Sequence, residues 1–524
     1  MTQIMDKHRD SWTEVRRAPL AAALVAWLLL GSLPALAQES SWAYIKAMTG
    51  PLERVEACFE ELGVPQPKAL RREAIENEMP FIGPEGLRGT GTIGMWMGPG
   101  EAGSTKPGGV LIFPVNPDAA KLKEFTARGA RPVSGSNDTV RIKGTFFRRT
   151  EGFLLMGPME KYITHLDPKA AQEHLSAPGM LAEVDVDLDL WRKIDPSSFY
   201  SIMRDKDDES TARFRHAEEL GRSMVMRVYE KQMSRLRLAL MDGGTSLHLR
   251  LGLEPFAPGE IAPLPKPAFP SGVLGRLDIA YSSAESSQWL KEVTEALMNA
   301  AEKDNLFANL EKAHVNVDQV RSLFKEAFEI FWIADAISIA VEPLRGQTIY
   351  HQVNQYRSPG DFTARLTAVV KKLNELERQH GNRKGSLGLT TYSAAGARVS
   401  RLTFPNGKLT LDFVDSETTV RIVAASDTRR RLPDLIKASA DGTLTSGFSG
   451  ALDVNAMVDA MIASGVRLPL PLRTRASLRG QLITWTTTAE GKAATVDFDV
   501  PKPLVQAFFQ LAGSRPFEVE AEGP

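Results

Sequence analysis

The chain contains almost no cysteine, since Cys58 is the only one in 524 residues. A single thiol cannot form an intrachain disulfide, so buried surface rather than covalent cross-links must stabilise the fold. Cys58 lies at helical spacing among apolar residues, namely Leu52, Val55, Phe59 and Leu62. This pattern predicts a small core residue, and the neighbouring glutamates predict a raised thiol pKa, which argues against a reactive cysteine.

The common signatures of catalysis and metal binding are also missing. The eight histidines form no His-Glu-x-x-His pair, and no Gly-x-Ser-x-Gly elbow occurs. Zinc binding and the hydrolase classes that carry those motifs are therefore not predicted. A catalytic triad assembled from residues far apart in the sequence would carry no such local motif.

One glycine-rich motif does occur, because Gly89, Gly91 and Gly94 match G-x-G-x-x-G. A dinucleotide site needs a strand before this motif and a helix after it, so that the helix N-terminus holds the pyrophosphate. Here the motif is followed within six residues by Gly98-Pro99-Gly100, which prevents a helix. We therefore expect a glycine-rich entry into a strand, and no cofactor.

Long apolar runs are confined to the N-terminus. A basic segment precedes an apolar stretch that extends at most from Ala18 to Leu33, and the small-x-small pattern Ala35-Leu36-Ala37 follows. A membrane span needs about 20 apolar residues, so residues 1–37 are predicted to be a cleaved secretory signal rather than an uncleaved anchor. We expect an exported protein, periplasmic or extracellular, without a membrane span after cleavage. The Ala/Leu-rich signal and the scarcity of cysteine favour a bacterial envelope.

An excess of charge of either sign is absent as well. The 63 Lys and Arg residues nearly balance the 64 Asp and Glu residues, which leaves a formal net charge of −1. This balance gives no reason to expect nucleic acid or an anionic membrane as a partner. The hydrophobic fraction of 43% is that of an ordinary globular protein. The chain is longer than the chains that a single hydrophobic core usually stabilises, which predicts more than one domain.

The sequence does contain an internal repetition. Gly179 to Ile194 aligns without a gap on Gly447 to Ile462, with four identical residues in the same order. Two shorter segments of the first copy recur in the second. Val115-Asn116 recurs as Val353-Asn354, and Phe125 to Arg128 recurs as Phe362 to Arg365. Several matches in the same order indicate one supersecondary plan used twice.

A proline-rich stretch separates the two copies. Residues 254–272 contain six prolines, which predicts a semi-rigid linker between a first lobe at 38–253 and a second lobe at 273–524. Each lobe closes with alternating apolar residues on both sides of a glycine-containing turn, which predicts antiparallel strands with one buried face. We expect an α+β fold of two similar, duplicated lobes, mostly antiparallel sheets with helices packed on them.

A row of carboxylates is the one candidate metal site. Asp185, Asp187 and Asp189 alternate with apolar residues and present hard oxygen ligands suited to Ca²⁺, although without EF-hand spacing. The second copy does not repeat the row, since Met457 stands in place of Asp189. Asp187 and its counterpart Asn455 fit better as N-caps of the helices that follow them.

The expected function is binding rather than catalysis. A duplicated α+β unit forms a cleft at its lobe junction, and such junctions are common ligand sites. We therefore expect a non-catalytic envelope protein that binds an apolar ligand or an envelope protein partner between its lobes. Trp96, Phe113 and Trp485 are candidates to line this cleft, although such residues are more often core. The alternative is an exported hydrolase whose catalytic site the sequence does not reveal.

Overall fold

The computed structural model describes most of residues 43–513. Outside the described residues lie 1–42, 65–81, 83–85, 102–107, 117, 119–130, 134–137, 143, 169–178, 197–198, 200–232, 255–262, 281–291, 293, 297, 301, 304–315, 333, 345–346, 357–359, 380–386, 406, 408, 417, 427, 429–431, 439, 445–446, 464–471, 491–492 and 514–524. The predicted signal at 1–37, the repeat residue Phe125 and part of the predicted linker are therefore outside the described residues.

The strands are numbered β1 to β22 in chain order. They are Ile45–Thr49, Gly94–Gly98, Gly108–Pro114, Arg131–Pro132, Thr139–Ile142, Thr145–Thr150, Phe153–Gly157, Met180–Asp187, Arg235–Asp242, Ser246–Glu254, Leu264–Pro265, Gly275–Ala280, Ala336–Leu344, Gln347–Gln355, Gly388–Ala394, Ala397–Thr403, Thr410–Asp415, Thr419–Ala425, Thr443–Leu444, Phe448–Asp453, Leu482–Glu490 and Ala493–Pro501.

The helices are numbered α1 to α9 in the same way. They are Leu52–Glu61, Glu160–His165, Leu188–Ile194, Val317–Trp332, Phe362–Gln379, Leu432–Lys437, Val454–Ala463, Leu472–Ser477 and Lys502–Gly513.

Every strand except β11 and β19 belongs to one antiparallel sheet. Its strand order is β4-β5-β6-β7-β3-β2-β1-β8-β9-β10-β22-β21-β20-β12-β13-β14-β18-β17-β16-β15. Among the described strands, the β10–β22 pair alone joins a strand that precedes the proline-rich stretch to one that follows it. The predicted α+β class, mostly antiparallel sheet with helices, is confirmed.

The centre of the sheet has one apolar and one polar face. Side chains alternate along a strand, so Leu247, Leu249 and Leu251 of β10 share a face with Phe498 of β22, whereas Arg250 lies on the other face beside Asp497. The alternation that predicted these two strands is therefore also the origin of the two faces.

The longer helices pack on the apolar face. In the second half, Ile330 of α4 and Phe362 and Leu366 of α5 pack with Phe413 and Ile422 of the sheet. Near the centre of the sheet, buried residues of α1 pack with Leu240, Leu247 and the α9 residues Val505 and Phe509. Burial of apolar area at about 25 cal/mol per Å² is the main gain from this packing.

The polar face of the second half is covered by the end of the proline-rich stretch, residues 263–272, which we call the strap. At one end of the strap, β11 pairs with β19, and the Gln355 amide donates to the Pro265 carbonyl at 2.8 Å. Further along, Phe269 lies 5.0 Å from the Arg276 guanidinium, measured to the ring centroid. This part of the predicted linker is thus packed on the second half.

Candidate functional site

An apolar cavity of about 360 Å³ opens on the apolar face of the sheet, between two helices and the closing hairpin. Its walls come from α7, α9, β21 and β22 and from the residue that follows α8. The lining residues are Val454, Val458, Leu478, Ile483, Val500, Leu504, Val505, Ala507 and Phe508. None of these side chains is ionisable or nucleophilic.

The local sequence explains why α9 forms one wall. Leu504, Val505 and Phe508 recur at helical spacing and therefore lie on one side of the helix. Leu504 and Ala507 pack with Leu478, which closes the inner end of the cavity. At the outer end, the Phe508 side chain is 66% exposed. The apolar lining therefore continues to the protein surface.

A second large exposed apolar side chain lies on α7. Met461 of α7, seven residues from the wall residue Val454 and so on the same side of that helix, is also exposed, whereas the exposed Leu482 of β21 lies on the other face of the sheet from Ile483. Contiguous exposed apolar surface on a soluble protein is typical of ligand or protein binding, whereas single exposed residues are not informative. Here two large exposed residues, Phe508 and Met461, lie on or beside the walls of one cavity, so the patch and the cavity form one site.

Charged groups hold the first turn of α9 without entering the cavity. Buried Lys502 binds Glu61 of α1 through a short hydrogen bond and lies 2.8 Å from Asp242 of β9. Burial alone would lower the pKa of Lys502, but the hydrogen bonds with Asp242 and Glu61 outweigh it and raise this pKa. Because both partners precede the proline-rich stretch, Lys502 fixes α9 to the first half of the chain.

A second ion pair joins two of the helices that contribute to the cavity walls or precede them. Arg475 of α8 binds Asp459 of α7. Both groups are partly exposed, so their net contribution to stability is about 0–1 kcal/mol. The apolar walls are therefore framed by paired charges, and an ionic ligand would find no unpaired counter-charge among the nine lining residues.

Trp485, one of the three predicted cleft residues, lies on the same face, two residues from Ile483 of the cavity wall. Its ring lies between Phe448, at 6.1 Å, and Phe498, at 6.4 Å. A Cβ atom on Gly450 would come within 2.2 Å of the indole, so only glycine lets the ring lie flat on β20. The indole Nε1 is buried and has no hydrogen-bond partner in the described part of the chain.

Trp96 and Phe113 lie elsewhere. Trp96 of β2 is buried with Val110 on one face of the sheet, and Phe113 of β3 is buried with Leu154 on the other. Six strand-to-strand steps separate β2 from β21, which is about 29 Å along the sheet. The structure therefore does not bring Trp96 and Phe113 together with each other or with Trp485.

The three candidate metal ligands are occupied by other contacts. Asp185 accepts two hydrogen bonds from Arg235, at 2.8 and 2.5 Å, and Asp189 pairs with Arg192. Asp187 accepts from the Leu190 amide at 2.9 Å and thereby caps α3, as predicted. No group of three or more His, Cys, Asp or Glu side chains suited to a metal occurs among the described residues.

The matching prediction for Asn455 is wrong. Helix α7 begins at Val454, and the Ala456 amide donates at 2.8 Å to Asp453. Asn455 is already inside the helix and its side-chain amide donates to Asp459. The cap therefore lies two residues earlier in the second half, because β20 ends earlier than its counterpart β8.

The glycine-rich motif serves the helix that precedes it. The carbonyls of Gly91 and Gly89 accept from the Leu52 and Glu53 amides, at 3.0 and 2.9 Å. These amides begin α1 and would otherwise be available to an anion. The motif then runs into strand β2, as predicted.

Cys58 is buried in the core, as predicted. Burial, the largest effect, together with Asp242 raises the pKa of its thiol to about 11, while Lys502 acts in the opposite direction. The neutral thiol is unreactive as a nucleophile at ordinary pH.

Sequence reasoning overlooked α9 as the main wall of the site. The signal was present, because Leu504, Val505, Phe508 and Phe509 follow the i, i+1, i+4, i+5 pattern of an amphipathic helix. The position of α9 against α7 and the hairpin depends on tertiary packing, which no local pattern reveals.

In the part of the chain that the structure describes, no helix is long and apolar enough to cross a membrane. No protein-family model matches the chain, no curated protein is significantly similar to it, and no solved structure matches its fold.

Proposed function

We propose that the protein binds an apolar small molecule in the cavity between α7, α9 and the β21–β22 hairpin. The observation that carries this proposal is the cavity itself, with nine apolar lining residues and the exposed Phe508 at its opening. Its volume of about 360 Å³ falls within the range of small-molecule sites. The protein's role is binding without chemistry.

The ligand class follows from the lining. An apolar body gains about 25 cal/mol for each Å² removed from water, whereas a charge would have to be buried without a partner. The buried Nε1 of Trp485, beside the cavity, can donate one hydrogen bond. We therefore propose a neutral, mostly hydrocarbon ligand that carries one oxygen acceptor, such as a ketone, ester or alcohol.

The proposed location is the bacterial envelope, after export by the signal at 1–37. An apolar ligand would need a carrier in the aqueous periplasm, and this agrees with a cavity that opens at the surface. The alternative, an exported hydrolase, has less support, because the cavity residues carry no group that could act as a nucleophile or base.

We also propose that the two halves arose by duplication. Outward from the β10–β22 pair, the first half reads β10-β9-β8-β1-β2-β3-β7-β6-β5-β4 and the second β22-β21-β20-β12-β13-β14-β18-β17-β16-β15. If β1 is matched to β12, every strand of the first list has a counterpart at the same place in the second list. The chain then connects the strands in the same order in both halves. The same order on both sides supports one ancestral unit that was used twice.

Residue pairing supports the same proposal independently. The alignment of Gly179 on Gly447 matches Ala182 with Gly450. Ala182 lies opposite Leu240, which lies opposite Leu249. Gly450 lies opposite Trp485, which lies opposite Phe498. Leu249 and Phe498 are therefore counterparts, and they also face each other, as residues on a twofold axis must.

The binding proposal can be tested with the fluorescent apolar probe N-phenyl-1-naphthylamine. We expect saturable fluorescence enhancement with the purified protein and its loss in Ala507→Phe, which fills the cavity. The control is Phe324→Ser, which removes an exposed apolar residue of α4 far from the cavity in the sequence. Equal enhancement in Ala507→Phe and wild type would refute the site. If Ala507→Phe lowers the melting temperature by more than a few degrees, Val458→Phe serves as the second filling variant.

A further inference from the structure

A second set of polar groups lies on the opposite face of the sheet, beneath the strap. Four of them, Arg276 Nη2, Asp278 Oδ1, Ser338 Oγ and Gln355 Oε1, are buried and have no hydrogen-bond partner in the described part of the chain. Leaving a buried polar group unpaired costs about 1–3 kcal/mol. Four such atoms in one region therefore call for an occupant that satisfies them.

The strand register places these four side chains on one face. Asp278 of β12 lies opposite Ser338 of β13, and Arg276 lies two residues along β12 on the same face. Gln355 of β14 lies opposite Ala336, two residues from Ser338. The Asp278 carboxylate uses its other oxygen to accept from Arg276 Nε at 2.7 Å. A donor and several acceptors are thus available together.

Arg421 of β18 adds a cation to this face. It lies opposite Val353, which in turn lies opposite Ser338. Burial lowers the pKa of Arg421 to about 10, and no carboxylate lies within ion-pair distance of it among the described residues. Its guanidinium contacts the Ala268 carbonyl of the strap at 3.3 Å. A half-buried cation without a counter-ion loses part of its hydration, so an anion would be bound favourably here.

The strap itself occupies the space between the two arginines. The Phe269 ring centroid lies 5.0 Å from the Arg276 guanidinium and 6.0 Å from that of Arg421. The Ala268 carbonyl oxygen takes the position on Arg421 that an anionic oxygen would take. Lys266, which lies 3.7 Å from Asp278, adds another positive charge. Asp278 and Asp441, the latter 3.9 Å from Arg276, offset two of these positive charges, so Arg421 is the cation that the described carboxylates leave without a counter-ion.

We propose that the strap covers a binding site for a small organic anion that also carries hydroxyl groups. Arg421 and Arg276 bind the anionic oxygens, Ser338 donates to the same group, and the free oxygens of Asp278 and Gln355 accept from the ligand's hydroxyls. The ligand enters when Phe269 and the Ala268 carbonyl move away from the arginines. The anionic group can be a carboxylate or a phosphate ester. This site is independent of the apolar cavity, because it lies on the other face.

Two probes separate the sources of the anion: D-gluconate for hydroxy acids and glucose 6-phosphate for phosphate esters. Calorimetric titration of the wild type should show saturable binding of at least one of them. Phe269→Ala, which loosens the cover, should tighten binding at least threefold. Arg421→Gln should abolish it, while Arg421→Lys retains part of it. The matched control is Arg250→Gln, an exposed arginine on the same face.

Binding of gluconate alone assigns a carboxylate, binding of the phosphate ester alone assigns a phosphate, and binding of both assigns a general anion site. Two results would overturn the proposal. One is no binding of either probe to the wild type or to Phe269→Ala, in which case water alone satisfies the buried atoms. The other is an unchanged affinity in the Arg421→Gln variant, provided that circular dichroism shows this variant to be folded.

Discussion

Leu249 lies directly opposite Phe498 at the contact between β10 and β22. The described strands of the two halves are hydrogen-bonded to each other at this contact alone, so the sheet is continuous only because these two strands pair. Both side chains are half-buried on the apolar face. The contact therefore couples the stability of the two halves through a small number of apolar side chains.

Replacing Phe498 by alanine should destabilise the whole chain. Large-to-small changes at well-packed aromatic positions cost about 3–5 kcal/mol, and partial exposure reduces this to about 2 kcal/mol here. Urea unfolding followed by circular dichroism should show a lower midpoint. Arg250→Ala on the other face of the neighbouring strand is the control and should change the free energy of unfolding by less than about 0.5 kcal/mol. Equal effects of the two variants would contradict the proposed importance of the apolar contact.

Lys46 should make stability depend on pH in the alkaline range. Its side chain is 9% exposed and lies opposite Trp96 and Asp185. Burial, the largest effect, lowers the pKa of Lys46 from 10.5 to about 8, against the attraction of two carboxylates. The charged groups that face it are Glu183, Asp185, Arg235 and Arg237.

The sign follows from proton binding. Between pH 8 and 10.5 the unfolded chain holds a proton on Lys46 that the folded chain has lost, so stability rises with pH across this window. The difference in unfolding free energy between wild type and Lys46→Met should change by about 2 kcal/mol from pH 7.5 to 10.5. A difference that stays constant over that range would show that Lys46 is charged in the folded protein.

The thiol of Cys58 should be protected in the folded protein. Because burial raises its pKa to about 11, very little thiolate is present at pH 8. We expect Ellman's reagent to react slowly with the native protein and rapidly, with one equivalent, in 6 M guanidinium. Rapid reaction in the absence of denaturant would mean that α1 is not packed as described.

Gly450 should tolerate no side chain. An added Cβ would come within 2.2 Å of the Trp485 indole and 2.4 Å of the Arg276 carbonyl, so Gly450→Ala must displace the tryptophan or the neighbouring strand. We expect a shift in tryptophan fluorescence and a loss of about 1–3 kcal/mol in stability. Gly388→Ala is the matched control, since its nearest neighbour, Thr403, would be 3.8 Å away. An unchanged spectrum for Gly450→Ala would place Trp485 elsewhere.

Local patterns predicted the elements better than the site. The alternation of Leu247 to Leu253 predicted β10, and the Asp187 side chain predicted the start of α3, because both depend on neighbours within a few residues. The one error of this kind, Asn455, arose from assuming that both copies end their strand at the same residue. The cavity could not be predicted, since Leu478 and Leu504 meet only after α8 and α9 have packed.

The same limit applies to the polar face. The six prolines of residues 254–272 indicate an extended chain, but nothing local indicates that Phe269 lies between Arg276 and Arg421, which are 145 residues apart in the sequence. Arg276 lies on β12 and Arg421 on β18. The order of the strands in the sheet brings the two side chains to one region, and that order depends on the whole chain.

The two ends of the sheet differ in their ability to recruit another chain. At one end, the described part of β4 consists of Arg131 and Pro132, and Pro132 cannot donate a main-chain hydrogen bond. At the other end, β15 has seven residues, Gly388–Ala394, without proline or charge, and no described strand pairs with its outer side. Edge strands of the second kind are templates for strand addition. Self-association of this protein would therefore have a direction. It would begin by strand pairing at the β15 edge and not at the β4 edge.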